Sequence, residues 1–299
     1  MIIVNLKGGI GNQMFQYAFA YCVAKINRTD LSFDLRYLQE RSAKKGYVER
    51  KFYLNLFGIK PVSSSAWDLM RVGMLLGGYK FRYFVGRILD FLGVLVFFER
   101  NKAFDRRIYL NRAKNIYIDG YWQSEKYFLG FDDDIREIFK FDQGKFNERV
   151  GELSRRIKQS QYPVCMHVRR GDFVGTKEHD IVSADYYLRA LKLLRDKVSD
   201  DLDIFIFSDD AEWCRNNFLN ISKNVSILSN DLPEESFFSD LYLMTMFSLF
   251  VIPNSTFAWW GAWLAPESKK IVVAPKVWSG VNGVKEVDIL PESWIRIEN

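Results

Sequence analysis

The first apolar run, "MIIVN", is short and continuous, and it breaks into the turn "LKGGIGNQ" before apolar positions resume at helical spacing through "MFQYAFAYCVAK". That change of period predicts a buried strand, a glycine-rich turn and a helix. "LSFDL" predicts a second strand. The pattern is then irregular from "ERKFYLNLFGI" to "NIYIDGYWQSEKYF", where "NIYIDGYW" reads as a strand end. "FDDDIREIFKF" predicts a helix whose aspartates sit at the positive end of its dipole.

Beyond about residue 150 the alternation is regular. Strands are predicted at "YPVCMHVRR", "DIFIFSDD", "VSILS", "LFVIPNS" and "KIVVAP". Helices are predicted at "SADYYLRALKLLRDKV", with Ser183 as N-cap, and at "AEWCRNNF", "EESFFSDLYLMTMF" and "TFAWWGAWLA". Strands alternating with helices imply a parallel sheet covered on both faces. Ligands of such sheets bind beyond the carboxyl ends of the strands. There the sequence places His167 to Asp172, Ser208-Asp209-Asp210, Ser229-Asn230-Asp231 and Asn254-Ser255-Thr256. The chain has 299 residues, enough for two domains, with expected boundaries at 1–155 and 156–299. The last residues are candidates to return to the first domain.

Composition changes this picture in four ways. Apolar residues at 48% and charged residues at 26% fit a globular protein, and aromatics at 16% serve either cores or ligand sites. The net charge of +5 is uneven: residues 1–150 hold 25 Lys+Arg against 16 Asp+Glu, and the remainder is net acidic. A basic first half suits either an anionic partner, such as a membrane surface or lipid-linked diphosphate, or a merely solvated surface. No nucleic-acid motif accompanies the charge, so no nucleic-acid partner is expected. Cys22, Cys165 and Cys214 lie far apart, which excludes a disulfide framework and points to a reducing compartment. With His167 and His179 as the chain's two histidines, a triad or His-based metal centre has little to draw on. The cytoplasm is the expected location, with peripheral contact at the inner membrane face. The apolar stretch 71–98 carries Lys80, Arg82, Arg87 and Asp90 and has no run long enough to span a bilayer; it reads as a membrane-surface segment or a buried helix pair.

Several constellations can carry chemistry. "HVRRGD" brings two guanidiniums and a carboxylate to one turn. Guanidinium forks match phosphate oxygens and neutralise a diphosphate without a metal; equally, Arg and Asp can pair simply to hold the loop. Because neighbouring strand residues face opposite ways, one arginine is expected to be structural and the other functional. Ser255 and Thr256 open a helix whose free N–H groups suit an anion, and they suit N-capping as well. Trp259, Trp260 and Trp263 read as core. Asp209 and Asp210 resemble a metal-binding pair but suit helix capping, and "DLD" at 201–203 precedes its strand, at the wrong sheet edge for a metal-dependent transferase. The opening turn departs from a dinucleotide fingerprint because Met14 replaces its third glycine. Asn12 and Gln13 there read as hydrogen-bonding groups aimed at a hydroxyl or phosphate.

Together, "GGIGNQMFQYAFA", "HVRRGDF", "FSDDAEW" and "LYLMTMFSLFVIPNSTFAWWGAWL" resemble the bacterial α1,2-fucosyltransferases in order and spacing. That resemblance implies the α/β GT-B architecture, two Rossmann-like domains facing across a cleft. It implies inverting transfer of L-fucose from GDP-β-L-fucose to the 2-hydroxyl of a galactose-terminated acceptor glycan, with no metal or cofactor. By motif, Arg169 and Arg170 would bind the diphosphate, Arg170 foremost, with His167 and Asp172 completing the motif. Asn254, Ser255 and Thr256 would contact phosphates or fucose; Ser208, Asp209 and Asp210 would line the nucleoside. Asn12 would reach the sugar or its phosphates from a turn shaped by Gly9 and Gly11. Asp172 is both candidate base and candidate holder of the arginines. Phe173 stands where the family often has tyrosine. The other readings are a transferase of another nucleotide sugar, an NAD-binding protein using the first loop, or a non-catalytic sugar- or nucleotide-binding protein.

Overall fold

The computed structural model describes residues 1–42, 50–65, 68–69, 95–99, 103–110, 115–177, 179, 181–229, 236–280 and 288–299. The chain forms two units, 1–140 with 287–289, and 141–286 with 290–299. Each is an α/β unit on a parallel sheet, the Rossmann-like construction expected of the sequence.

The first sheet has the order β2-β1-β4-β3, from β1 (Ile2–Asn5), β2 (Leu31–Asp34), β3 (Leu95–Phe98) and β4 (Ile116–Asp119). Every pairing is parallel, and β1 and β4 are buried along their whole length. The crossover from β1 to β2 is helix α1 (Ile10–Asn27), closed by Arg28 in a left-handed conformation. Helix α2 (Arg36–Ser42) follows β2. Strand β3 corrects the reading of its stretch: "LVFF" is neither membrane surface nor helix but pairs with β4, as a β-branched and aromatic run does beside a buried strand. The rest of that stretch, 71–94, lies outside the described residues.

The second sheet has the order β10-β9-β8-β5-β6-β7. Its strands are β5 (Pro163–Val168), β6 (Asp203–Ser208), β7 (Asn224–Ser229), β8 (Leu249–Val251), β9 (Ile271–Pro275) and β10 (Ile295–Ile297), paired in parallel throughout. The first five follow the predicted pattern. β10 is a three-residue strand, too short for its alternation to register. It pairs with β9, so the last residues finish the second sheet, and the return to the first unit is the segment 287–289 alone. The boundary falls at Lys140–Phe141, ahead of the expected 155, for a packing reason. The Phe146 ring stacks on Tyr242 at 4.3 Å and Phe141 meets Phe238 at 5.1 Å. Helix α3 (Glu148–Gln159) follows them into the second unit, where Arg156 donates to Ser226 Oγ at 2.8 Å.

One face of the second sheet, from Val164, Met166 and Val168, packs on Tyr186, Tyr187, Ala190, Leu191 and Leu194 of helix α4 (Ala184–Lys197). Trp259, Trp260 and Trp263, all buried, pack on one another in helix α5 (Thr256–Leu264), with Trp294 against Trp259. They are core, as read. Truncating a buried tryptophan removes its transfer energy and leaves a cavity, so Trp260→Ala should lose about 3–5 kcal/mol in urea unfolding.

Candidate functional site

The second sheet reverses its strand order at β5. From there β6 and β7 build to one side, whereas β8, β9 and β10 build to the other. In open parallel sheets the loops leaving such a pair of strands part at their carboxyl ends, and that is where ligands bind. The loop after β5 carries Arg169, Arg170, Gly171 and Asp172, and the loop after β8 carries Asn254, Ser255 and Thr256.

Asp209, just past β6, holds the arginine loop. Its Oδ1 accepts the Arg170 backbone N–H at 2.8 Å, and its Oδ2 meets the Arg169 guanidinium at 2.9 Å. A Cβ on residue 171 would lie 2.5 Å from that Oδ2, so the approach requires Gly171. Each Asp209 oxygen thus has a partner inside the protein, and together they clamp the loop. Asp210 caps helix α6 (Ala211–Phe218), accepting from the Trp213 N–H at 3.0 Å. Ser208 Oγ accepts the Asp210 N–H at 3.0 Å.

The strand ends at Val168, so alternation does not separate the two arginines. Their partners do. The Nη2 of Arg169 donates to Asp172 at 2.6 Å and its Nη1 pairs with Asp209, while the guanidinium lies over the Phe173 ring. Arg170 donates through Nε to Asp210 at 3.1 Å and stacks on Trp213 at 4.3 Å. Its two Nη groups engage no partner among the described residues. Arg170 is thereby a pre-oriented guanidinium with a free fork, about a quarter exposed.

Asn254 is buried, and its amide nitrogen donates to the His179 and Trp278 carbonyls at 3.2 and 3.1 Å. It ties two loops together, so its N–H groups are not offered to a ligand. Ser255 Oγ caps α5, accepting the Ala258 N–H, and Thr256 is half-buried in the first turn. Asn230 and Asp231 lie outside the described residues. "DLD" lies at the amino edge, where Asp203 opens β6 and accepts from Asn224 at 2.8 Å.

In the first unit the polar residues at the start of α1 divide. Gln13 turns inward: its Nε2 donates to the Gly8 and Lys51 carbonyls at 3.0 and 2.8 Å, and its Oε1 accepts the Tyr53 N–H at 2.9 Å. The reading of Gln13 as a ligand-facing group is corrected by that burial. Gln16 likewise binds both the N–H and the carbonyl of Lys7. Asn12 stays half-buried, its Oδ1 accepting from Gln123 at 2.8 Å. The stringent glycine is Gly8, at φ +74 with the Asn12 side chain against it, whereas Gly9 forms the N-cap and Gly11 is buried in the first turn. Lys7 pairs with Asp119, and Asn5 donates to the same carboxylate at 3.3 Å.

Two buried groups have displaced proton affinities. Burial, reinforced by Arg169, pushes the His167 imidazole down to about 3, and its Nδ1 has no hydrogen-bond partner among the described residues. Burial pushes the Asp240 carboxyl, on helix α7 (Ser236–Met244) in the chain stretch between β7 and β8, up to about 7. Sequence reasoning missed Asp240 because one aspartate within "SFFSDLYLM" reads as the polar side of a helix.

These shifts act on stability with opposite signs. An unfolded His167 takes up a proton below about pH 6.5 that the folded chain refuses, so its contribution is lost as pH falls. Folded Asp240 keeps a proton that the unfolded chain releases above about pH 4, so its contribution is lost as pH rises toward 7. Each slope is about 1.4 kcal/mol per pH unit within its window. In denaturant melts from about pH 4 to pH 7, His167→Asn should gain on the parent protein as pH falls, and Asp240→Asn should gain as pH rises.

The model of glycosyl transferase family 11 matches residues 97–298. An alpha-1,2-colitosyltransferase of Escherichia coli is 30% identical over 308 residues, covering 100% of this chain and 99% of its own. The O-antigen biosynthesis glycosyltransferase WbnK of Escherichia coli is 30% identical over 309 residues, covering 98% of this chain and 99% of its own. A galactoside 2-alpha-L-fucosyltransferase of Caenorhabditis elegans is 28% identical over 169 residues, covering 54% of this chain and 46% of its own.

Proposed function

The chain belongs to glycosyltransferase family 11 and is a nucleotide-sugar glycosyltransferase; from that premise we propose that it moves L-fucose from GDP-β-L-fucose to the 2-hydroxyl of a terminal galactose, with inversion. The observation that carries the reading is the free fork of Arg170, held in place by Asp210 and Trp213 at the mouth of the sheet. As the sugar–oxygen bond breaks, negative charge grows on the departing diphosphate. A fixed guanidinium stabilises that charge with no reorganisation at the moment of reaction. Arg169 orients the loop through Asp172 and Asp209, and Thr256 and the first turn of α5 offer donors to the same phosphates. Arg170 supplies the neutralising charge, and the transfer proceeds without a metal or cofactor.

The acceptor hydroxyl loses a proton as it attacks the anomeric carbon. Asp172 is the carboxylate assigned to receive it, a third exposed beside the arginines. Asn12 belongs to the transfer step rather than to nucleotide affinity. The acceptor glycan is one of cell-surface polysaccharide assembly, in keeping with the O-antigen name of one relative. A second donor reading follows from the name of another relative, which is that of a colitosyltransferase. The basic first half suits peripheral contact with an anionic membrane face, and among the described residues no helix is long and apolar enough to cross a membrane.

Purified protein incubated with GDP-fucose, a panel of β-galactosides and EDTA should release GDP and give an α1,2-linked product. A product made only from a colitosyl donor would transfer the reading to that sugar, and a preference for UDP over GDP in competition binding would overturn both. Arg170→Ala should weaken GDP binding about tenfold to a hundredfold, the loss of one charge-assisted contact, with melting temperature retained. Asp172→Asn separates its two roles: loss of kcat at unchanged GDP affinity marks the base, and loss of both marks a holder of Arg169.

A further inference from the structure

The turn after β4 is strained, and the strain delivers one side chain. Trp122 adopts φ 55, a left-handed conformation rare for a bulky residue. It is over-determined from two sides. Glu99, just past β3, accepts the backbone N–H groups of Tyr121 and Trp122 at 2.7 and 3.0 Å. The indole, 1% exposed, packs against Phe19 at 4.6 Å, Phe97 at 5.4 Å and Tyr127 at 5.5 Å. Strain kept in place by that much surrounding structure marks a constrained position. The next residue is Gln123, whose Nε2 donates to Asn12 Oδ1 at 2.8 Å.

We propose that Gln123 is a positioning residue that sets the polarity of the Asn12 carboxamide. The two ends of an amide are alike in shape and opposite in chemistry, so hydrogen-bond partners decide which end faces where. With Oδ1 occupied by Gln123, Asn12 keeps its NH2 group, which engages no partner among the described residues. It therefore meets substrate as a donor, suited to a phosphate or hydroxyl oxygen and unsuited to a group that must itself donate. Gly8 belongs to the same device, since a Cβ there would occupy the space of the Asn12 side chain. The inference rests on the reading above that Asn12 contacts a substrate of the transfer reaction.

Reversing the polarity of residue 123 tests it. Gln123→Glu offers only an acceptor, which draws the Asn12 NH2 inward and turns Oδ1 outward. Gln123→Lys offers only a donor and preserves the present sense. At saturating donor, Gln123→Glu should lower kcat about tenfold, the loss of one hydrogen bond compounded by an acceptor facing an oxygen, while Gln123→Lys stays within about threefold. GDP affinity and melting temperature should change little in either. In an Asn12→Ala background both substitutions should have no further effect, which removes the bare effect of charge. Equal losses in the two variants, a greater loss with lysine, or effects that persist without Asn12 would overturn the proposal. A second readout needs no turnover: by NMR, hydrogen exchange of the Asn12 side-chain amide should slow in Gln123→Glu, now that it is bonded, and stay as in the parent in Gln123→Lys. If no galactoside is fucosylated, the functional reading falls, and the exchange experiment still decides what Gln123 does to Asn12.

Discussion

The Asp209 carboxylate is the piece on which the arrangement of the second unit's mouth depends. One oxygen fixes the backbone at Arg170 and the other fixes the guanidinium of Arg169. Gly171 follows from it, because a side chain there would collide with that oxygen. So does the division of labour between the arginines. Arg169 spends its fork on Asp172 and Asp209, and Arg170, tethered through Nε and its stack on Trp213, keeps its Nη groups for something else. Partly exposed ion pairs contribute only about 0–1 kcal/mol each to stability. The array matters for direction more than for stability.

The sheet supplies what those pairs orient. Strand order reverses at β5, so its loop and the loop of β8 diverge and expose the carboxyl edge. Asn254 then ties the β8 loop to the segments carrying His179 and Trp278. Tight turns and a buried amide fix the loops there, and the Arg170 Nη groups engage no partner among the described residues.

The first unit solves a similar problem with neutral groups. Gln13 and Gln16 lie inside, where they satisfy the backbone of the glycine turn and of the chain at Lys51 to Tyr53. Buried amides of this kind are costly unless every polar atom finds a partner. Both side chains have donors and acceptors engaged, and the turn beside them is correspondingly rigid. Asn12 is the residue of that run left partly outside.

Much of this was legible in the sequence, because it depends on local period and turn chemistry. Continuous apolar runs against helical spacing gave five of the strands of the second sheet and four helices of that unit, though not α3, and parallel topology gave the edge where "HVRRGD" and "PNST" emerge. The motifs also carried the family. Less was legible where the signal is short or the pairing distant. β10 spans three residues, and β3 hid in an apolar stretch that also suits a helix. That Asp209 clamps a loop while Asp210 caps a helix depends on which neighbour each carboxylate meets. Gln13 and Asn12 are adjacent and equally polar, and only packing turned one in and left the other out. The bond from Gln123 to Asn12 joins residues 111 positions apart. Period and composition are properties of neighbours along the chain, so the sequence by itself determined the elements, the edge and the kinds of groups present there. Which of those groups are consumed by the protein and which are left for a ligand is settled by partners that meet only in space, and the tertiary structure alone decided it.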